Sequence, residues 1–178
     1  MYHMIQKCSL LAVLEVFFKE PTTIHFIREI GRKINLAQTS VRNHIKELEK
    51  NNLIIEIKSK PFNGFIANRD NEGFIFYKQS YNFYSLYELK ELLVKLVYPK
   101  AMIVFGSYAR GEDTEESDID IILLSKIKKE INLKKLEKSL NRKINVNFID
   151  SLDKLDKSLK TNVLNGWVIY GGIDERNF

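Results

Sequence analysis

Asp118 and Asp120 flank a single isoleucine at the head of the apolar run Ile121-Ile122-Leu123-Leu124. In an extended strand, alternate side chains share a face, which puts both carboxylates on one side and Ile119 and Ile121 on the other. Two carboxylates held side by side repel each other, and a cation between them relieves the repulsion. Mg²⁺ suits such a place, because it is a hard ion held by one or two carboxylates together with phosphate oxygens. Upstream, across ten intervening residues, Gly106-Ser107 closes another apolar run, Ala101–Phe105. Gly106 lets backbone approach a phosphate closely, while the Ser107 hydroxyl and the N–H groups that follow can hydrogen-bond it. The chain contains no GxxxxGK[ST] loop, and Gly106 to Gly111 is not a GxGxxG fingerprint.

These residues need two strands joined by a turn. Ala101–Phe105 reads as the first strand and Ser117–Leu124 as the second, with Tyr108-Ala109-Arg110-Gly111 and an acidic loop (Glu112, Asp113, Glu115, Glu116) between them. The acidic residues read as a solvated turn. Lys143–Ile149 reads as a further strand whose polar face carries Asn145 and Asn147, with Asp150 at its end and of opposite parity. Lysine-rich helices are expected near Ile131–Leu140 and Leu152–Leu159.

The order Gly106-Ser107, ten residues, Asp118-Ile119-Asp120, with Ala109-Arg110-Gly111 and Ser117 between, resembles the signature of the polymerase-β-like nucleotidyltransferases, in particular their minimal prokaryotic members. The resemblance spans about residues 99–171 and includes an ending, Asn165–Gly171, that reads as a last strand. It implies a mixed sheet with flanking helices that holds a nucleoside triphosphate, ATP favoured, with Mg²⁺. Ser107 would hold the β and γ phosphates, Asp118 and Asp120 would bind metal and serve catalysis, and Arg110 would orient the turn or touch phosphate. The product would be a nucleotide, AMP favoured, on a hydroxyl acceptor. Similar minimal nucleotidyltransferases work with a HEPN-domain partner, sometimes as the antitoxin of a toxin–antitoxin pair. A two-metal transfer needs a third carboxylate on a later strand. Asn145 stands where that residue is expected, and an amide cannot act as a base. Two readings follow, a working transferase and a nucleotide sensor in a transcriptional regulator or antitoxin.

Residues 1–80 have a different grammar. Met4–Phe18 has apolar residues at helical spacing. Thr22 or Thr23 is positioned to cap a second helix bearing Ile24, Ile27, Ile30 and Ile34, stopped by Asn35 in the left-handed region. A third helix is expected over Ala37–Lys50 with Val41, Ile45 and Leu48 inward. The run Leu53–Lys58 and the segment Phe74–Lys78 read as the two strands of a hairpin. This order resembles a winged helix-turn-helix domain. The implied DNA contacts are Gln38, Ser40, Arg42, Asn43 and Lys46 at base edges, with Lys58, Lys60 and Arg69 on phosphates. The same helices could instead form a platform for dimerisation or a partner. The expected organisation is thus α+β, a winged helix-turn-helix domain over 1–80 and a nucleotidyltransferase-type domain over 85–178 that opens with a helix at 85–97.

Composition agrees with a globular chain: 44% of residues are hydrophobic and 29% charged. The net charge is +5, and residues 1–60 hold ten Lys/Arg against six Glu, whereas from Pro99 onward there are 14 against 13 acidic residues. A basic front suits nucleic acid. Cys8 stands alone, so an internal disulfide is excluded, and it reads as a small core residue. Neither His25 nor His44 has a metal-ligand companion at useful spacing, and both are expected at the surface or an interface. No apolar run approaches the ~18 residues of a membrane span, and the start lacks a signal-peptide pattern. A cytoplasmic protein that does not engage membranes is expected, with a homodimer if two recognition helices meet two half-sites.

Overall fold

The structure, a computed structural model, describes residues 8–174, and the chain divides into two compact units, Met1–Tyr81 and Asn82–Phe178. In the first unit, helix α1 (Ser9–Lys19) buries Val13, Leu14, Val16, Phe17 and Phe18, the inward stripe of its apolar spacing. The portion of the expected first helix before Cys8 lies outside the described residues. Cys8 itself is exposed at the N-cap of α1, not in the core.

Helix α2 runs Ile27–Ile34 and ends at Asn35, whose φ of 52° and ψ of 49° are left-handed, as its residue type predicts. Its start differs from expectation. Thr22 and Thr23 do not cap it, Phe26 is the N-cap without a side-chain cap, and Ile24 stays exposed ahead of the helix. The cause is tertiary: the His25 N–H donates to the Phe65 carbonyl and the Phe65 N–H to the His25 carbonyl, both at 2.8 Å, which holds residue 25 extended. Gly31 lets the turn after α2 close, since a Cβ there would stand 2.8 Å from the Leu36 carbonyl oxygen. Helix α3 (Gln38–Lys50) buries Val41, Ile45 and Leu48.

A hairpin follows, β1 (Ile54–Ile57) antiparallel to β2 (Gly64–Ala67), with Ile54 opposite Ala67 and Ile57 opposite Gly64. The second strand therefore lies between the two segments expected to pair, Leu53–Lys58 and Phe74–Lys78. Phe74–Lys78, expected as that strand, is helical within α4 (Glu72–Ser85). Asn71 explains the switch, because its Oδ1 accepts from the Phe74 N–H and its carbonyl from the Ile75 N–H, an N-cap just ahead of the first turn. The inward spacing of α4 is four residues, with Phe74 and Lys78 both fully buried, and the Lys78 Nζ donates to the Phe18 carbonyl near the end of α1 at 2.6 Å. Each fully buried Phe or Ile here stabilises the unit by about 1.5–3 kcal/mol over its exposed state.

The second unit is built on a four-stranded sheet of order β5-β4-β3-β6. Strand β3 (Ala101–Phe105) is antiparallel to β4 (Ile119–Leu124) and to β6 (Trp167–Gly171), and β4 is parallel to β5 (Ile144–Ile149). Helices α5 (Tyr87–Val97), α6 (Gly106–Arg110), α7 (Lys134–Leu140) and α8 (Lys157–Leu164), with a 3₁₀ turn at Leu152–Lys154, complete it. The sheet is covered on both faces, so its central strands are continuous apolar runs rather than alternating ones. Met102, Val104, Ile119, Ile121 and Leu123 pack with Leu89, Leu93 and Val97 of α5. Ala101, Ile103, Ile122 and Leu124 pack with Leu152 and Val163 on the other side. Among the described residues, no helix is long and apolar enough to cross a membrane.

Candidate functional site

Asp118 and Asp120 come together at the head of β4, Asp118 one residue before the strand and Asp120 second within it. Asp120 is opposite Phe105, the last residue of β3, and opposite Asn145 on β5. The register therefore delivers the Gly106-Ser107 turn, the two carboxylates and Asn145 to one end of the sheet. Asn145 Nδ2 donates to Asp118 Oδ2 at 3.1 Å and to Asp120 Oδ1 at 3.0 Å, so one amide spans both carboxylates. Both aspartates are half-buried and Asn145 is exposed.

Gly106 adopts a φ of 77°, which a side chain would resist, and a Cβ there would meet Asp120 Oδ2 at 3.3 Å. The turn and the carboxylate thus need glycine for two separate reasons. Gly106–Arg110 form the short α6, closed by Gly111 at φ 67°. Arg110 turns to Glu112, Nε to Oε2 2.7 Å, on an exposed surface.

The acidic loop departs from expectation. Asp113 is 1% exposed, not solvated, and accepts from Asn82 Nδ2 at 2.8 Å and from Arg142 Nη2 at 3.4 Å. The same Asn82 Nδ2 donates to the Tyr108 carbonyl at 2.8 Å, and Ser85 Oγ bonds the Tyr108 hydroxyl at 2.7 Å. Arg142 Nη1 also donates to the Glu115 carbonyl. This network clamps the turn that carries Ser107 and the loop that leads to Asp118. Asn82, Asp113 and Arg142 were not singled out by sequence reasoning, since a lone Asp in an acidic run and a lone Arg between helix and strand look solvated. Asp150 is engaged elsewhere: the Lys154 hydrogen bond, at 2.6 Å, holds its exposed carboxyl below the ordinary range.

In the first unit, Gln38, Arg42, Asn43 and Lys46 are exposed on α3 opposite its buried stripe, and Ser40 is half-buried. Lys58 and Lys60 are exposed after β1, and Arg69 is exposed after β2. His44 is half-buried and bonded to Ser9 Oγ at 2.8 Å. His25 is fully buried rather than at the surface, and it has the acidic companions Glu20 and Glu29 that spacing along the chain did not suggest.

Residues 87–175, half of the chain, match the family model described as "Polymerase beta, Nucleotidyltransferase", and the chain belongs to that family. Two proteins of Methanocaldococcus jannaschii are similar over short stretches. The protein named "Putative protein adenylyltransferase MJ1379" is 52% identical over 46 residues, 22% of this chain and 46% of that protein. The one named "Putative protein adenylyltransferase MJ0604" is 61% identical over 28 residues, 16% of this chain and 28% of that protein. The chain thus spans less than half the length of these curated relatives.

Proposed function

We propose that the second unit binds a nucleoside triphosphate, ATP favoured, with Mg²⁺ and transfers AMP to a hydroxyl acceptor. The observation that carries this reading is the junction of the Gly106-Ser107 turn with two carboxylates held 3.0 and 3.1 Å from one amide. The donor set fits the ion: carboxylate oxygens are hard ligands, and a shared neighbour already holds the pair together. When bound, Mg²⁺ supplies charge neutralisation and polarises the phosphate it contacts. Asp118 and Asp120 hold it, Ser107 donates to the β and γ phosphates, and Arg110 adds positive charge on the same turn. The acceptor oxygen forms its bond to the α phosphorus as pyrophosphate leaves. Asn145 cannot take the acceptor proton, so a base brought by the acceptor completes the step. Both curated relatives carry a name for AMP transfer to protein, which supports a protein hydroxyl as acceptor.

The first unit, in this reading, is a winged helix-turn-helix. Helix α3 presents Gln38, Ser40, Arg42, Asn43 and Lys46 to the major groove, and Lys58, Lys60 and Arg69 meet phosphates. Three helices followed by an antiparallel hairpin support it, although the second strand is Gly64–Ala67. Asn145 favours a second reading, a DNA-binding regulator or antitoxin that senses nucleotide without turnover, alone, as a homodimer or with a HEPN-domain partner, in the cytoplasm.

The test mixes pure protein with labelled ATP, GTP, CTP or UTP and Mg²⁺, alone and with lysate from its source, beside an Asp118→Asn/Asp120→Asn control. Label transferred only by the wild type establishes the enzyme and names its acceptor. Binding without transfer overturns the transferase reading and leaves the sensor.

A further inference from the structure

We propose that Glu20, His25 and Glu29 form a site for a divalent transition-metal ion of the Zn²⁺/Co²⁺ class, separate from the nucleotide site. His25 is fully buried because both of its backbone groups pair with Phe65 and its ring stands edge-on to Phe17, centroids 5.1 Å apart at 84°. Its Nε2 lies 3.0 Å from the Glu20 carbonyl oxygen, which can only accept. In the neutral ring the proton therefore sits on Nε2, which leaves a lone pair on Nδ1. That arrangement, one ring nitrogen donating to a backbone carbonyl and the other left bare, is how proteins orient a histidine toward a metal.

No hydrogen-bond partner reaches Nδ1 among the described residues. It faces two carboxylates instead, Glu29 Oε1 at 3.6 Å and Glu20 Oε2 at 3.9 Å, and the three ligand atoms all lie within 4.8 Å of one another. Two ligands about 2.1 Å from a tetrahedral ion stand roughly 3.4 Å apart, close to both separations. A proton on Nδ1 serves this geometry poorly, since both carboxylates are beyond good hydrogen-bond length. One imidazole and two carboxylates form a mixed N/O set that suits Zn²⁺ or Co²⁺ and leaves a fourth position to water.

Lys33 is the competing cation. Its Nζ lies 2.6 Å from Glu20 and 2.9 Å from Glu29, and its side chain is 38% exposed. An ion pair so exposed is weak, and the ammonium can swing away as the ion arrives. Glu20 caps the end of α1, Glu29 lies in the first turn of α2, and His25 is bonded to β2 through its backbone. Metal therefore ties three elements of the first unit together and stabilises it by linkage.

The test uses the full chain carrying Asp118→Asn/Asp120→Asn, so that the other carboxylate pair does not take up metal. Zn²⁺ is titrated by calorimetry, Co²⁺ by visible absorption, and thermal unfolding is followed with and without Zn²⁺. The expected result is one ion per chain, a low-symmetry Co²⁺ spectrum and a higher unfolding temperature with Zn²⁺. Glu29→Gln, at a partly exposed position that leaves the core intact, weakens binding roughly tenfold or more, comparable to losing a supporting ligand contact. Lys33→Met tightens binding, because it removes the rival cation while breaking the same ion pairs. A Co²⁺ spectrum like that of the free ion, or metal affinity unmoved by both Glu29→Gln and Lys33→Met, overturns the site.

Discussion

A single amide sets the chemistry of the second unit. Asn145 Nδ2 donates to two aspartates that would otherwise repel each other, which holds the pair together at no net change of charge. Asn145→Asp places a third carboxylate there. The variant is expected to unfold at lower temperature without Mg²⁺, to gain more from Mg²⁺ than the wild type, and to transfer nucleotide about 10²-fold faster, the lower end of the ~10²–10⁴-fold that a positioned base contributes. Scanning calorimetry with and without Mg²⁺ and label transfer check the two halves. The buried Asp113–Arg142 pair is the other decisive contact, with side chains 1% and 3% exposed. Arg142→Met alone strands a buried carboxylate and should cost about 3–5 kcal/mol, while Asp113→Leu with Arg142→Met recovers most of that loss. Denaturant unfolding of the single and double variants measures the difference.

At the scale of elements, helix α1 carries a titratable group inside its packed face. Burial raises the Glu15 carboxyl above its ordinary 4.5, and the charge and hydrogen bond of Lys19 offset only part of that. A carboxyl that titrates higher when folded binds its proton more readily in the folded state. Its contribution is therefore most favourable below the ordinary value and is withdrawn as pH rises through the raised one. Glu15→Gln should raise the unfolding temperature at pH 7 and lose that advantage below pH 4.5, as a thermal-unfolding series across pH will show. The stretch after β1 makes its own prediction: if Lys58 and Lys60 each neutralise a phosphate, replacing either by Ala lowers the slope of log affinity against log salt by about 0.9. Fluorescence anisotropy on a DNA duplex at several salt concentrations reads this directly.

For the whole molecule, the proposal that one unit binds nucleotide and the other DNA carries a thermodynamic obligation. If nucleotide with Mg²⁺ changes DNA affinity by some factor, DNA must change nucleotide affinity by that same factor. Couplings of this kind are typically 5–150-fold. Measuring each affinity with the other ligand saturating gives two ratios that must agree, and Asp118→Asn/Asp120→Asn should abolish both. Two ratios of one, with both ligands still binding, would mean that the units act independently.

Local pattern alone was enough for the strands of the second unit and for the shared face of Asp118 and Asp120. Buried strands read as apolar runs, and parity in an extended chain is fixed by geometry. The Gly106 turn, the left-handed Asn35 and the inward stripe of α3 were legible for the same reason: each depends on the residue's own conformational limits or on its near neighbours. Phe74–Lys78 was not, because four apolar and aromatic residues followed by a lysine fit a strand or a helix equally until Asn71 caps the first turn. His25, Asp113 and Lys78 look like surface residues in a row of letters, yet all three are buried. Only tertiary structure could decide their place, since the partners that make a buried polar group affordable, Glu20 and Glu29 aside, include Phe65, Arg142 and Phe18, far away along the chain. Sequence determined which chemistry the chain could support. Folding decided which polar groups are drawn inside to hold that chemistry in position.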